Sequence, residues 1–312
     1  MRSGSTVDEA VPAPVVVGYD GSAASRRAVR WAAHEAAARG TGLRVVVAAD
    51  DPGVPGVRRT ATRLAPLRLG DGHEAMSEAV ALAESCQPGV TRGGVVRRGQ
   101  PGGVLVDQSH TAQLVVVGCR GRIALPASES STSLITASRA ACPVVVVRGR
   151  VDTPRLDPVV VGVRVGDPVP STVSCAVDVA RRAGSPLVLA CGWSADAGSL
   201  SRVPRPVPDR SGALATVVRD VQDHAGRSVE RAAELAHRLA PGLSVRTEVL
   251  DTRAERALEG LSWGASVLVV GRGGTGPFPG LPLGRVTRSA LEHAGCPVVV
   301  VPPDVPVEDV RA

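Results

Sequence analysis

The sequence predicts two tandem α/β units, each a doubly wound five-stranded parallel sheet, packed together with pseudo-two-fold symmetry. Three observations lead there. First, landmarks recur. Val15-Val16-Val17-Gly18 returns as Val159-Val160-Val161-Gly162, and Arg39-Gly40-Thr41-Gly42-Leu43 as Ala183-Gly184-Ser185-Pro186-Leu187. Val115-Val116-Val117-Gly118 returns as Leu268-Val269-Val270-Gly271, and Cys142-Pro143 with four valines as Cys296-Pro297 with four valines. Second, short apolar runs alternate with segments of helical spacing, which is the rhythm of a parallel sheet with crossover helices. Third, those runs are apolar at every position, as strands covered on both faces must be.

The elements of the first unit follow in order. Pro14–Tyr19 is the first strand, and Ser22–Arg39 is a helix with Ala28, Trp31, Ala32 and Glu35 in helical spacing, stopped by Gly40. Leu43–Ala49 is the second strand. Asp51–Asp71, rich in Pro, Gly and Arg, reads as a long loop. A helix at His73–Cys86, a strand at Val90–Arg97 and a short helix at Pro101–His110, with Pro at its start, come next. Leu114–Gly118, Ser131–Ala141 and Pro143–Val147 are the fourth strand, fourth helix and fifth strand. The second unit repeats the order as Pro158–Val163, Ser171–Ala183, Leu187–Cys191, Leu214–Leu239, Leu243–Leu250, Arg253–Ser262, Val267–Gly271, Arg285–Ala294 and Pro297–Val301. Its second helix is longer, and 192–212 is again a Pro- and Ser-rich loop. The units are expected at 14–148 and 158–303, joined by a linker at 149–157, with tails at 1–13 and 304–312. The linker is short enough that the units pack together.

Composition removes several kinds of function. The chain holds no Lys and no Asn, so all 36 basic residues are Arg. A Walker A phosphate loop and Schiff-base chemistry both need a lysine. With one Phe, one Tyr and three Trp, no stacking platform for single-stranded nucleic acid exists, and the cores fall to Val, Ala and Leu. The net charge of +6 is carried by scattered arginines, which argues for solvated faces and against a nucleic-acid patch. Six cysteines without a CxxC pair read as a reduced, cytoplasmic pattern. No apolar run reaches the length of a membrane span.

In open parallel sheets ligands sit at the carboxyl ends of strands where the strand order reverses. The candidate loops therefore follow the first and fourth strands of each unit. In the second unit the latter reads Gly271-Arg272-Gly273-Gly274-Thr275-Gly276 and ends at Gly284-Arg285. Glycines let backbone N–H groups converge into a nest, and the helix beginning near Arg285 presents its N-terminal dipole to an anion.

Gly271-x2-Gly274-x9-Gly284, followed by a helix and Cys296-Pro297 with four valines, resembles the nucleotide loop of universal stress proteins. Val15 to Ser22 resembles the first strand and turn of that family, and Val249 to Leu258 its segment into the third helix, with Val95 to Pro101 as the first-unit counterpart. The resemblance runs over almost the whole chain, twice. It implies an adenine nucleotide alpha hydrolase-like fold, pairing of units through their fifth strands, and ATP binding in some members, with Mg accompanying the ATP. It also implies a role for the acidic residue after strand one at the base-and-ribose end, for a backbone group near the end of strand two at the adenine, and for the glycine motif at the phosphates.

Carried onto this chain, the first copy supplies Asp20 for the acid, Ala48 for the strand-two position, and Gly118, Gly121, Ser131 and Thr132 for the phosphate loop. A Ser stands at 131 where the family has its last Gly, and Glu129 adds a negative charge. The serine and threonine cluster at 130–133 reads equally as a helix N-cap. The second copy supplies Gly271, Gly274, Gly284, Arg285 and Val286, but places Arg164 where the acid belongs and Arg285 in place of Ser or Thr. Arg164 cannot accept from ribose hydroxyls. Arg285 reads either as a phosphate ligand or as a helix-surface charge.

Nothing reads as catalytic. The six histidines are scattered over helices, His34-Glu35 lacks a second metal-binding His, and no nucleophile elbow precedes a helix. Asp50-Asp51 before Pro52 reads as a turn. The expectation is a non-enzymatic stress-response regulator without a resident metal, the two units joined through the valine strands at 143–147 and 297–301. A regulatory protein partner is expected, and a further homodimer is left open. The alternatives are a nucleotide-independent scaffold and, behind it, a slow ATPase.

Overall fold

Pairing of parallel strands needs a crossover between them, and the computed structural model supplies one at every step. It describes residues 12–49, 69–119, 131–149, 151, 157–166, 169–194, 213–273 and 283–303. The first unit runs β1 (Val15–Gly18), α1 (Ala23–Ala38), β2 (Leu43–Ala49), α2 (Leu69–Cys86), β3 (Thr91–Arg98), α3 (Pro101–Ser109), β4 (Leu114–Gly118), α4 (Thr132–Arg139) and β5 (Val144–Val147). The second runs β6 (Val159–Gly162), α5 (Pro170–Ala183), β7 (Leu187–Trp193), α6 (Ala213–Leu239), β8 (Val245–Asp251), α7 (Ala254–Ser262), β9 (Val267–Gly271), α8 (Arg285–His293) and β10 (Val298–Val301).

All ten strands form one sheet in the order β3-β2-β1-β4-β5-β10-β9-β6-β7-β8. Pairing is parallel within each unit and antiparallel only where β5 meets β10. There Val145 faces Val299, flanked by Val144 against Val300 and Val146 against Val298. Equivalent residues face each other at the centre, so the pseudo-two-fold passes through that pair. The expected meeting of the valine strands is observed.

Two cores cover the sheet, and each runs through both units. One packs α1, α2, α5 and α6 against residues such as Val15, Val45, Val145, Val161, Leu189 and Val299. The other packs α3, α4, α7 and α8 against Val16, Val115, Val144, Val160, Leu268 and Val300. Small residues on the helix faces let the layers approach: Ala28, Ala32 and Ala36 on α1 and Ala225, Ala232 and Ala236 on α6 have no exposed surface.

Polar ties also cross the junction. The guanidinium of Arg148, just beyond β5, is buried and donates to the Ala290 and Glu292 carbonyls at the end of α8, both at 2.8 Å. Arg272, just beyond β9, donates in the reverse sense to the carbonyl of Ala140, the residue that ends α4. On the other face Glu35 of α1 accepts from Arg39 at 2.7 Å and from Arg182 of α5 at 3.0 Å, and Arg182 also pairs with Asp178.

The elements differ from expectation mainly at their ends. Leu69 to Asp71, read as the end of the Pro-, Gly- and Arg-rich loop, and Gly72 beyond it open α2. β7 runs two residues further than expected, to Trp193, because β8 pairs with it as far as Asp251. The tails beyond 12 and 303 and most of the two long loops lie outside the described residues.

Burial sets the state of the thiols. It pushes Cys142 and Cys296 up to about 12 and Cys191 up to about 11. Ellman's reagent at pH 8 is expected to leave these three silent in the native protein and to titrate them once urea unfolds it, since the thiolate is the reactive form. Arg148→Met is expected to lower the unfolding free energy by about 3 kcal/mol, because charged hydrogen bonds contribute about 1.5–3 kcal/mol each and the α8 carbonyls lose their donor. Urea denaturation reads the change.

Candidate functional site

The strand order reverses between β1 and β4 in the first unit and between β6 and β9 in the second. Because β5 and β10 are antiparallel, the carboxyl ends of the two sets of strands lie at opposite ends of the sheet. The predicted residues therefore form two separate groups.

In the first group, Asp20 follows β1, Gly118 ends the neighbouring β4, and Ala48 sits half-buried on β2 opposite Arg97. Asp20 is exposed, and its Oδ1 accepts the Ser22 N–H at 3.1 Å. Ser22 is the N-cap of α1, its hydroxyl accepting the Ser25 N–H at 3.2 Å. The acid thus stands on a turn rigidified by helix capping, near a helix N-terminus that favours its charge. Gly118 is glycine for a packing reason: a Cβ there would lie 2.5 Å from the Ala24 carbonyl in the first turn of α1. Ser131 is the N-cap of α4 but makes no capping hydrogen bond, its hydroxyl lying 3.0 Å from that of Ser133. Thr132, half-buried, opens α4, and its carbonyl accepts the Thr136 hydroxyl at 2.7 Å. Gly121 lies outside the described residues.

In the second group the glycine motif forms a stem. The Gly284 N–H donates to the Arg272 carbonyl at 3.0 Å, and the Thr287 hydroxyl donates to the Gly271 carbonyl at 2.7 Å. Gly273 holds φ +83°, and a Cβ on it would lie 2.8 Å from the Gly284 Cα. The close approach requires glycine at 273, while a Cβ on Gly284 would make a tight contact, 3.3 Å from the Gly273 Cα. Gly284 is the N-cap of α8 and offers no side chain to its first N–H groups. Val286 turns toward the α7–α8 core, half-buried. Arg285 is 74% exposed and lies 3.4 Å from Glu255 in the first turn of α7. Gly274 lies outside the described residues.

At the position of Asp20 the second unit presents Arg164. The equivalence is structural, since Tyr19 N–H donates to Val46 and Val163 N–H to Ala190 at the same step of the two ladders. Arg164 is exposed, and α5 begins at Val169 without a side-chain cap. The duplicated fold has kept the acid and the serine cap in one copy and the glycine stem in the other.

The universal stress protein family model matches residues 13–148 and again 156–302. The chain belongs to the universal stress protein family. A universal stress protein of Mycobacterium tuberculosis is 33% identical over 300 residues, covering 92% of this chain and 96% of that one. One from Mycolicibacterium smegmatis is 31% identical over 314 residues, covering 95% and 99%. Among solved structures, a universal stress protein from Archaeoglobus fulgidus superimposes with a TM-score of 0.55 at 15% identity, covering 93% of this chain and 99% of that one, a likeness of fold.

Against that family pattern, three residues of the stem were not singled out from sequence. Gly273, inside the motif's variable pair, is the glycine whose backbone the fold demands; the Gly-Gly step at 273–274 was its visible signal. Thr287 and Arg272 had none, because each acts through a partner far along the chain. Among the described residues, no three His, Cys, Asp or Glu side chains gather to hold a metal ion, and no helix is long and apolar enough to cross a membrane.

Gly273→Ala is expected to cost about 1–3 kcal/mol, combining a left-handed backbone with the collision at Gly284. Gly226→Ala, in α6 where a Cβ meets open space, is expected to raise stability by about 0.5–1 kcal/mol. Parallel urea titrations distinguish a stem that requires glycine from one that tolerates any small residue.

Proposed function

We propose that this universal stress protein is a non-enzymatic regulator whose state is set by an adenine nucleotide, with the phosphates received at the N-terminus of α8 in the second unit. The observation that carries the reading is the stem at Gly273 and Gly284, whose backbones meet so closely that a Cβ on Gly273 would collide, at the head of a helix with no side-chain cap. Gly273 would offer its backbone N–H at the phosphate end, Gly271 and Gly284 would frame the stem, the Gly284 N–H being held by the Arg272 carbonyl, and Gly274 belongs to the same loop. Val286 would contribute its N–H, since its side chain packs inward. Arg285 would turn from Glu255 to the phosphates at little cost, because an exposed ion pair is worth about 1 kcal/mol at most. ATP is the expected nucleotide, and Mg would come with its phosphates.

In the first unit Asp20 is presented for ribose hydroxyls and Ala48 for the base. Its phosphate end at Ser131 and Thr132 carries a side chain where the second unit has none. A site there would be weaker.

A second reading has its own support. Arg164 is exposed where an acceptor is needed, and Arg285 is engaged by Glu255. On that reading the fold is a scaffold that works through a protein partner without nucleotide. Slow ATP hydrolysis would require a residue that orients water; Asp20, exposed after β1, is a candidate for it, and Asp50, the other candidate, lies outside the described residues.

Calorimetric titration of ATP·Mg into the full chain tests these readings. Saturable binding is expected, weakened at least about tenfold by Gly284→Arg and little changed by Asp20→Ala. Phosphate release is expected to stay at background. Binding that survives Gly284→Arg but not Asp20→Ala moves the site to the first unit. The absence of heat at millimolar ATP favours the scaffold, and turnover abolished by Asp20→Ala would establish an ATPase.

A further inference from the structure

The two outer edges of the ten-stranded sheet are unlike. At one end β3 carries an extra residue against β2, the register stepping from Leu43 opposite Thr91 to Val45 opposite Gly94. Gly93 at the bulge has φ +85°, and Arg92, Arg97 and Arg98 are exposed along the strand. A bulge and charges of one sign are the devices that stop an edge from pairing. At the other end β8 pairs with β7 at seven consecutive positions without a break, from Val245 opposite Leu187 to Asp251 opposite Trp193. It has no bulge, no Pro and no Gly, and Val249 is 39% exposed.

We propose that two copies of this chain associate through β8, the strands antiparallel and centred on Thr247. The phase of the edge follows from the ladder beside it. Leu187 lies opposite Val245 and its N–H donates to the Ser244 carbonyl at 2.8 Å. In a parallel ladder this turns the backbone groups of 244, 246 and 248 toward β7 and those of Val245, Thr247 and Val249 outward. These outward groups are the ones a second strand would take.

Side chains select the register. Residues directly opposite in an antiparallel pair share a face, so a symmetric pairing is centred on a residue. Centring on Arg246 or Glu248 sets like charges together. Centring on Val249 leaves Glu248 opposite Leu250. Centring on Thr247 places each Arg246 opposite the other copy's Glu248 and each Val245 opposite its Val249. Arg246 and Glu248 then occupy non-hydrogen-bonded pairs, where Cα atoms come within about 4.5 Å and opposite charges stabilise. The charges lie on the α7 and α8 face, and the valines on the α5 and α6 face, whose core includes Leu187, Leu189 and Cys191 opposite them. Beside Val249, α6 lines a groove with Gln222, Asp223, Gly226, Arg227 and Glu230, a mixed-sign surface that continues the interface. The pairing is independent of nucleotide binding.

Sedimentation equilibrium of the full chain up to about 100 µM tests the proposal. A dimer is expected. Thr247→Pro removes an outward N–H that β7 does not use, so the strand stays in place and the dimer is lost, with circular dichroism unchanged. Arg246→Glu and Glu248→Arg each bring like charges together at two symmetric places and are expected to weaken association about tenfold. The two substitutions combined exchange the charges and restore it. A chain that stays monomeric overturns the proposal, as does a dimer that survives Thr247→Pro or one that the exchanged pair fails to restore.

Discussion

The antiparallel pairing of β5 with β10 is the constraint on which the rest of the molecule depends. Each strand is four valines, and none of the eight is more than 1% exposed. A strand that is apolar on both faces cannot be the outer edge of a soluble sheet, because its unpaired backbone and side chains would seek another chain. Joining the two such strands removes both edges at once, with each buried valine contributing about 1.5–3 kcal/mol relative to exposure. The pairing also merges the cores of the two units, so that each face of the sheet has one continuous apolar layer.

The geometry of the sites follows from the same junction. Reversing the strand direction at the middle of the sheet sends the carboxyl ends of β1 and β4 one way and those of β6 and β9 the other. The two candidate sites therefore face opposite ends of the sheet. Helices run against their strands, so each site end of one unit borders the end where the other unit's helices terminate. That is why an arginine just past β5 finds the carbonyls of α8 and an arginine just past β9 finds the carbonyl after α4. Both guanidinium groups meet the negative ends of helix dipoles. Arg272 therefore belongs at once to the glycine stem and to the junction.

Much of this was legible in the sequence, and what escaped did so for physical reasons. The valine runs, the repeated Gly18 and Gly162, and the paired Cys-Pro steps marked the strands and the duplication because parallel strands are local and uniformly apolar. The start of α2 was not legible, since Leu69 to Gly72 carries two glycines that a loop prefers. The last two residues of β7 were missed because its pairing partner, β8, lies some sixty residues on. At the site, Asp20 and the glycine motif were visible from spacing. The Thr287 tie to the Gly271 carbonyl was not, since a threonine inside a helix carries no local sign of its partner.

The glycines themselves show why a motif needs its surroundings to be interpreted. Gly118 and Gly271 end equivalent strands and look interchangeable in sequence. In the first unit the backbone of α1 would stand 2.5 Å from a Cβ at 118, so packing alone accounts for the glycine. In the second unit, among the described residues, a Cβ at 271 would meet the Thr172 hydroxyl at 3.1 Å, a side-chain contact and not a backbone one. The strict demand for glycine in the second unit lies in the stem, at Gly273, whose φ of +83° and 2.8 Å approach to the Gly284 backbone leave no room for a Cβ. A close approach between a strand and its own crossover helix is needed by any copy of the fold. A stem closed at the head of the last helix serves the sheet less directly, and there the two copies differ, Gly284 capping α8 without a side chain where Ser131 caps α4.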